Sequence, residues 1–176
     1  MSEHTILVVD DEPSIRSALE RTLRRENYRV ITASSGEEGL ALLKANPIDV
    51  AISDHLMPQM TGLEFLKLVR DRHQDVGRII LTGHADTEVA IKAINEGEIY
   101  RFLRKPWDDI ELKVIVHLAL EQVVLARENR QLLATVRQQG EYIRDLETLH
   151  PGISRVRRDD EGAIVLDEDE MRLLAL

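Results

Sequence analysis

The stretch Ile48-Asp49-Val50-Ala51-Ile52-Ser53-Asp54 decides the fold, because it is a nearly unbroken apolar run that stops on a carboxylate. A strand covered on both faces of a parallel sheet reads this way, without the polar alternation of a half-exposed one. Ile6-Leu7-Val8-Val9 has the same character and stops on Asp10-Asp11. Two more strand-like stretches end at Thr82 and Lys105. If the four runs are parallel strands of one sheet, these side chains converge at a common carboxyl edge. Three carboxylates, one hydroxyl and one ammonium gathered there make a site for Mg²⁺ and a phosphoryl group.

From residue 5 to about 110, short apolar runs alternate with amphipathic helical ones. The strand candidates are Thr5–Asp10, Arg29–Ala33, Val50–Asp54, Arg78–Thr82 and Ile99–Leu103, with helical patterns at about 13–26, 36–45, 62–72 and 86–96. Pro13 suits a first helical turn, Gly36 and Thr61-Gly62 punctuate two helix starts, and Asp86 reads as an N-cap. Strict β-α alternation predicts an α/β fold, with a doubly wound, five-stranded parallel sheet in the flavodoxin-like order 2-1-3-4-5. A fifth helix starts near Asp108. Ligands of such sheets sit at the carboxyl edge, at the switch between strands 1 and 3, where Asp10, Asp11 and Asp54 fall.

The chain thus divides into a domain at 1–110, an extended helix at 111–149 and a short tail at 150–176. In the helix, Ile115, Leu118, Gln122, Leu125, Asn129, Leu132, Val136, Gln139, Ile143 and Leu146 alternate spacings of three and four. This is a heptad seam, and a single Asn at its first position favours two parallel strands in register. A parallel homodimer is the favoured reading; a long helix lying on its own domain is the other. Pro151-Gly152 ends the helix, and 153–166 reads as a small β-hairpin around Asp159-Asp160-Glu161-Gly162. The acidic run Asp167–Glu170 then precedes Met171–Leu176, either a short helix or a disordered end.

The formal charge of −9, from 23 basic and 32 acidic residues, argues against direct DNA binding by these residues. The absence of cysteine excludes thiol chemistry and disulfides. Met1–Thr5 has no basic signal region and no apolar run approaches membrane-spanning length, so a cytoplasmic protein with no membrane contact is expected.

A carboxylate accepts a phosphoryl group only when charge is neutralised around it. Asp11 and Asp54 are expected to ligate Mg²⁺ directly, Asp10 directly or through water, with the Leu56 backbone carbonyl completing the protein ligands. Asp54 then attacks phosphorus. Lys105 supplies a point charge and Thr82 a hydroxyl donor, with the Lys105-Pro106 peptide a candidate for cis geometry.

Four fragments in order, Ile6–Pro13, Asp54–Gly62, Leu81-Thr82-Gly83 and Arg104-Lys105-Pro106-Trp107, resemble the receiver domain of two-component response regulators. The resemblance spans residues 4–109. It implies a phosphorylation site at Asp54, a metal pair at Asp10 and Asp11, a switch hydroxyl at Thr82 and a phosphate-binding Lys105. It also implies that Phe102 is the switch aromatic, though a plain core role fits that position too. The implied donor is a sensor histidine kinase or phosphotransfer protein, and the implied output is an interaction with a downstream protein. Leu56 and His84 depart from the usual polar pattern at positions where the family tunes phosphate lifetime. The stretch Glu98–Asp109 and the long helix also resemble, more loosely, receivers that regulate cyclic-di-GMP phosphodiesterases. A rival from another class is a Mg²⁺-dependent phosphatase or phosphotransferase with an aspartyl-phosphate intermediate. Such an enzyme wants an acid–base Asp two residues after its nucleophile, where this chain has Leu56. No separate catalytic domain is expected here.

Overall fold

A computed structural model describes residues 4–83 and 87–150. The tail hairpin, the acidic terminal segment, His84 and Asp86 lie outside the described residues. The elements run β1 (Thr5–Val9), α1 (Pro13–Arg24), β2 (Arg29–Ala33), α2 (Gly36–Ala45), β3 (Val50–Asp54), α3 (Gly62–Arg72), β4 (Gly77–Thr82), α4 (Thr87–Asn95), β5 (Arg101–Arg104) and α5 (Asp109–Leu149). The strands form one parallel sheet in the order β2-β1-β3-β4-β5, as the alternation predicts.

The register explains why the apolar runs carry no alternation. Successive side chains of a strand point to opposite faces, and both faces are covered. Ile6 and Val8 of β1 join Leu19 and Leu23 of α1 and Leu112 and Val116 of α5 in one core cluster. Leu7 and Val9 join Phe65, Leu66 and Val69 of α3 and Ala90 and Ala93 of α4 in the other. Each fully buried Leu, Ile or Phe in these clusters stabilises the fold by about 1.5–3 kcal/mol.

Helix ends follow local chemistry. Thr61 and Glu64 form a reciprocal capping box at the start of α3, and Ser35 accepts a hydrogen bond from the Glu38 amide at the start of α2. α1 ends at Arg24 because the chain turns through a left-handed Asn27 (φ 61°). β5 begins two residues later than the apolar pattern predicts. The Ile99 amide donates to the Ala93 carbonyl at the end of α4, so the ladder with β4 opens at Ile79–Arg101 instead.

The described chain forms two compact units, Met1–Glu128 and Asn129–Leu176. Within the first, Leu112, Val116, Ala119, Leu120 and Val123 of α5 are buried. Ile115, the expected first seam residue, is also packed against that core. Ile110, Val114, Leu118 and Leu125 are exposed instead. At about 100° per residue they lie on the side of the helix away from the buried set. Within the second unit, Leu132, Val136 and Ile143 are exposed.

Candidate functional site

β1 and β3 are neighbours in the ladder, pairing Val9 with Ser53, so Asp10 and Asp54 emerge side by side at the carboxyl edge. Carboxylate oxygens of Asp10, Asp11 and Asp54 all lie within 4.8 Å of one another. Asp10 is fully buried and Asp54 nearly so, while Asp11 is exposed. The site is therefore a shallow acidic cup with a deep wall and an open rim.

One cation reaches into this cup. Lys105 Nζ lies 2.7 Å from Asp54 Oδ1 and 3.0 Å from Asp10 Oδ2. The Lys105-Pro106 peptide is cis, and the Lys105 amide donates to the Thr82 carbonyl at 2.9 Å, which ties β4 to the loop after β5. Burial pushes the Asp10 carboxyl above its ordinary pKa, and the Glu12 amide and Lys105 only partly offset it. Burial pulls Lys105 down, yet hydrogen bonds to Asp54 and Asp10 outweigh this and hold it above its usual value.

The donor set fits a hard divalent cation. Three carboxylates with mutually close oxygens and one ammonium leave excess negative charge in a partly desolvated place. Burial of Asp10 in particular is only partly offset by Lys105 and the Glu12 amide, which favours a further cation beside it. Oxygen ligands with room for water at the rim suit Mg²⁺ better than softer metals.

Thr82 is buried at the end of β4, and its hydroxyl donates to the Gly83 carbonyl at 3.2 Å. Phe102 is partly buried and packs against the core cluster that contains Ile80 and Ala90. The expected residues Asp10, Asp11, Asp54 and Lys105 are thus brought into contact, while Thr82 bonds locally and Phe102 is engaged by the core. Leu56 follows β3 by two residues with 64% of its surface exposed.

Two residues that support the cup were given no part in it by the sequence. Arg16 on α1 donates to the Asp10 carbonyl at 2.5 Å and so holds the β1–α1 turn. Its spacing of six from Asp10 carried no signal of its own. Gly62 opens α3 directly under the end of β3: a Cβ there would lie 1.8 Å from the Asp54 carbonyl oxygen. The sequence marks Gly62 as a helix start; the need for a missing side chain comes only from the close approach of two backbones.

The response regulator receiver domain family model matches residues 6–117, which takes in the site and all of the five strands but Thr5. The chain belongs to the response regulator receiver family. Among curated relatives, this receiver is 45% identical over 117 residues to the hydrogenase transcriptional regulatory protein HoxA of Cupriavidus necator, covering 66% of this chain and 24% of that one. To the HoxA protein of Bradyrhizobium diazoefficiens it is 30% identical over 167 residues, 95% of this chain and 34% of the relative. A solved response regulator receiver domain protein from Clostridium thermocellum superposes with a TM-score of 0.66 at 36% identity, covering 70% of this chain and 98% of that one. The chain spans about a quarter to a third of the length of these curated relatives. Among the described residues no helix is long and apolar enough to cross a membrane.

Proposed function

We propose that this receiver is the phosphoacceptor module of a two-component response regulator, with Asp54 the residue that takes the phosphoryl group. The observation that carries the reading is Lys105 Nζ bridging Asp54 and Asp10 at 2.7 and 3.0 Å beside a three-carboxylate cluster. The donor is a histidine kinase or a phosphotransfer protein bearing a phosphohistidine. An Asp54 oxygen attacks phosphorus, the P–N bond breaks with its electron pair returning to the imidazole, and that nitrogen takes a proton from solvent.

Asp10, Asp11 and Asp54 hold Mg²⁺, with the Leu56 carbonyl as a fourth protein ligand. Mg²⁺ bound there supplies the charge neutralisation that a phosphoryl group needs among carboxylates. Lys105 exchanges its contact with Asp54 for the new phosphoryl oxygens. Thr82 leaves the Gly83 carbonyl to donate to the same group, and Phe102 follows into the space it vacates. Leu56 in place of an acid–base carboxylate disfavours the rival phosphatase reading.

The output runs through α5, which continues from the receiver to Leu149. We assign the exposed seam in its second half to a parallel homodimer. The names of the HoxA relatives support control of transcription as the process served, and the match over 95% of this chain includes the helix. The decisive experiment is labelling with acetyl phosphate and Mg²⁺ followed by peptide mass spectrometry. The phosphoryl group is expected on Asp54 and is expected to vanish in Asp54→Asn; a label elsewhere, or none, overturns the reading.

A further inference from the structure

At the sheet's amino edge, remote from the acidic cup, Asp49 gathers contacts from four residues, His4, Thr5, Gly77 and Arg127. Its Oδ2 accepts the Thr5 amide at 2.9 Å and lies 3.3 Å from His4 Nδ1. Its backbone accepts from Gly77 and donates to Thr5, joining the starts of β1, β3 and β4. Its Oδ1 accepts from the Arg127 guanidinium of α5 at 2.5 Å, and a second Arg127 nitrogen lies 3.4 Å from the Asp75 carbonyl. Burial raises the Asp49 carboxyl, but these donors outweigh it and hold the group below its ordinary pKa.

Arg127 stands where the apolar attachment of α5 stops. Val123 is the last buried apolar side chain of the helix, and it packs over Gly77, where an added Cβ would come within 3.2 Å of it. The first compact unit closes one residue after Arg127, at Glu128. Past Val123 the receiver-bound helix therefore carries a charged, partly buried contact where core packing ends.

We infer that Arg127 is a positioning residue: its pairing with Asp49 fixes the point, and the helical phase, at which α5 ceases to belong to the receiver. Asp49 immediately precedes β3 and Asp54 closes it, five residues apart, or roughly 16 Å along the extended chain. The anchor and the acidic cup are thus joined by one buried strand. The consequence for output rests on the reading of α5 above, while the anchor itself is testable without phosphorylation.

Hydrogen exchange by mass spectrometry on the full unphosphorylated chain tests it. Arg127→Met and Asp49→Asn are each expected to speed exchange of amides 122–128 by about three- to tenfold, as loss of one partly exposed charged contact predicts. Arg127→Lys is expected to recover part of the protection. Amides of β1 beyond Thr5, whose own amide donates to the Asp49 side chain, those of β3, and acetyl-phosphate labelling of Asp54 are expected to stay at wild-type levels. Unchanged protection at 122–128 in both variants overturns the anchor, as does loosening of β1 and β3 to the same extent. Failure to label Asp54 in the wild type would defeat the phosphoacceptor reading and leave the exchange result standing.

Discussion

Lys105 Nζ lies 2.7 Å from Asp54 Oδ1, so the carboxylate assigned as phosphoacceptor is charge-paired before any phosphoryl group arrives. A divalent cation on the same carboxylates sits against that ammonium and competes with it. Lys105→Met is therefore expected to bind Mg²⁺ at least about threefold more tightly, while labelling of Asp54 slows by about a hundredfold. Without metal the variant loses about 1–3 kcal/mol, because buried Asp10 loses the ammonium that bonds to it. Trp107, two residues on and partly buried against the core, reports the Mg²⁺ titration by fluorescence. Weaker Mg²⁺ binding in the variant would refute this balance of charges.

Asp10 gives a pH test with a definite sign. Its folded-state pKa lies above 3.8, with burial the leading cause. The folded protein therefore holds that proton more tightly than the unfolded chain does. The resulting stability is fully present below about pH 3.8 and is lost as pH rises through the folded-state value. Asp10→Asn is expected to raise the metal-free Tm at pH 7 by about 2–8 °C, with the gap closing toward pH 4. Asp49 has the opposite sign, stabilising above 3.8 and less so as pH falls, but both proteins share it. Mg²⁺ is expected to raise the wild-type Tm and leave the variant's unmoved. A pH-independent difference between the two melting curves would exclude this origin.

The sheet order and the four contacting side chains were legible because burial on both faces writes itself as continuous apolar runs with a polar residue at each end. Asp10, Asp11, Asp54 and Lys105 needed only strand ends and the parallel rule to be brought together. What local pattern could not carry was anything set by how groups from different elements come together. Gly62 beneath Asp54, Arg16 on the Asp10 carbonyl and Arg127 on Asp49 are of this kind. The phase of α5 was hidden for a related reason. Ile115 fits a heptad as well as it fits a core, and only the docked helix shows that the core takes it.

Gly62→Ala tests the close approach under the site. The added methyl meets a backbone oxygen at 1.8 Å, so either α3 or the end of β3 has to move. A loss of about 2–4 kcal/mol is expected in thermal or urea unfolding, from overpacking without a flexible neighbour to yield. Surviving folded protein is expected to label more slowly at Asp54. Gly140→Ala, with nothing within 4 Å of the new atom, serves as the control and is expected to be neutral or mildly stabilising.

Leu56 is a large apolar side chain, 64% exposed, two residues past Asp54. An apolar side chain at this place offers no group to orient a water beside a phosphorylated Asp54. Leu56→Asn is expected to shorten the aspartyl-phosphate half-life by about three- to tenfold, as a polar group that positions the attacking water lowers the barrier by roughly a kcal/mol. Folding stability is expected to change little, because the leucine is not in either core cluster. The readout is decay of labelled protein after removal of donor, and an unchanged half-life removes Leu56 from the control of hydrolysis.

The exposed residues of the second unit supply the test of dimerisation. Leu132, Val136 and Ile143 are 66%, 63% and 53% exposed, and they keep the spacing of a two-stranded seam around Asn129. Burying three such side chains against a second copy is worth several kcal/mol, so the association should appear at micromolar concentrations. Sedimentation equilibrium is expected to give a concentration-dependent dimer that Leu132→Asp with Val136→Asp abolishes. Asn129→Leu is expected to tighten association while relaxing register, because the Asn pairs only with its counterpart in the aligned parallel arrangement. The charged pair lies beyond the receiver core, so its melting is expected to stay within about 0.5 kcal/mol of wild type. A wild-type chain that remains monomeric at high concentration would leave the stripe to a different occupant and withdraw the homodimer.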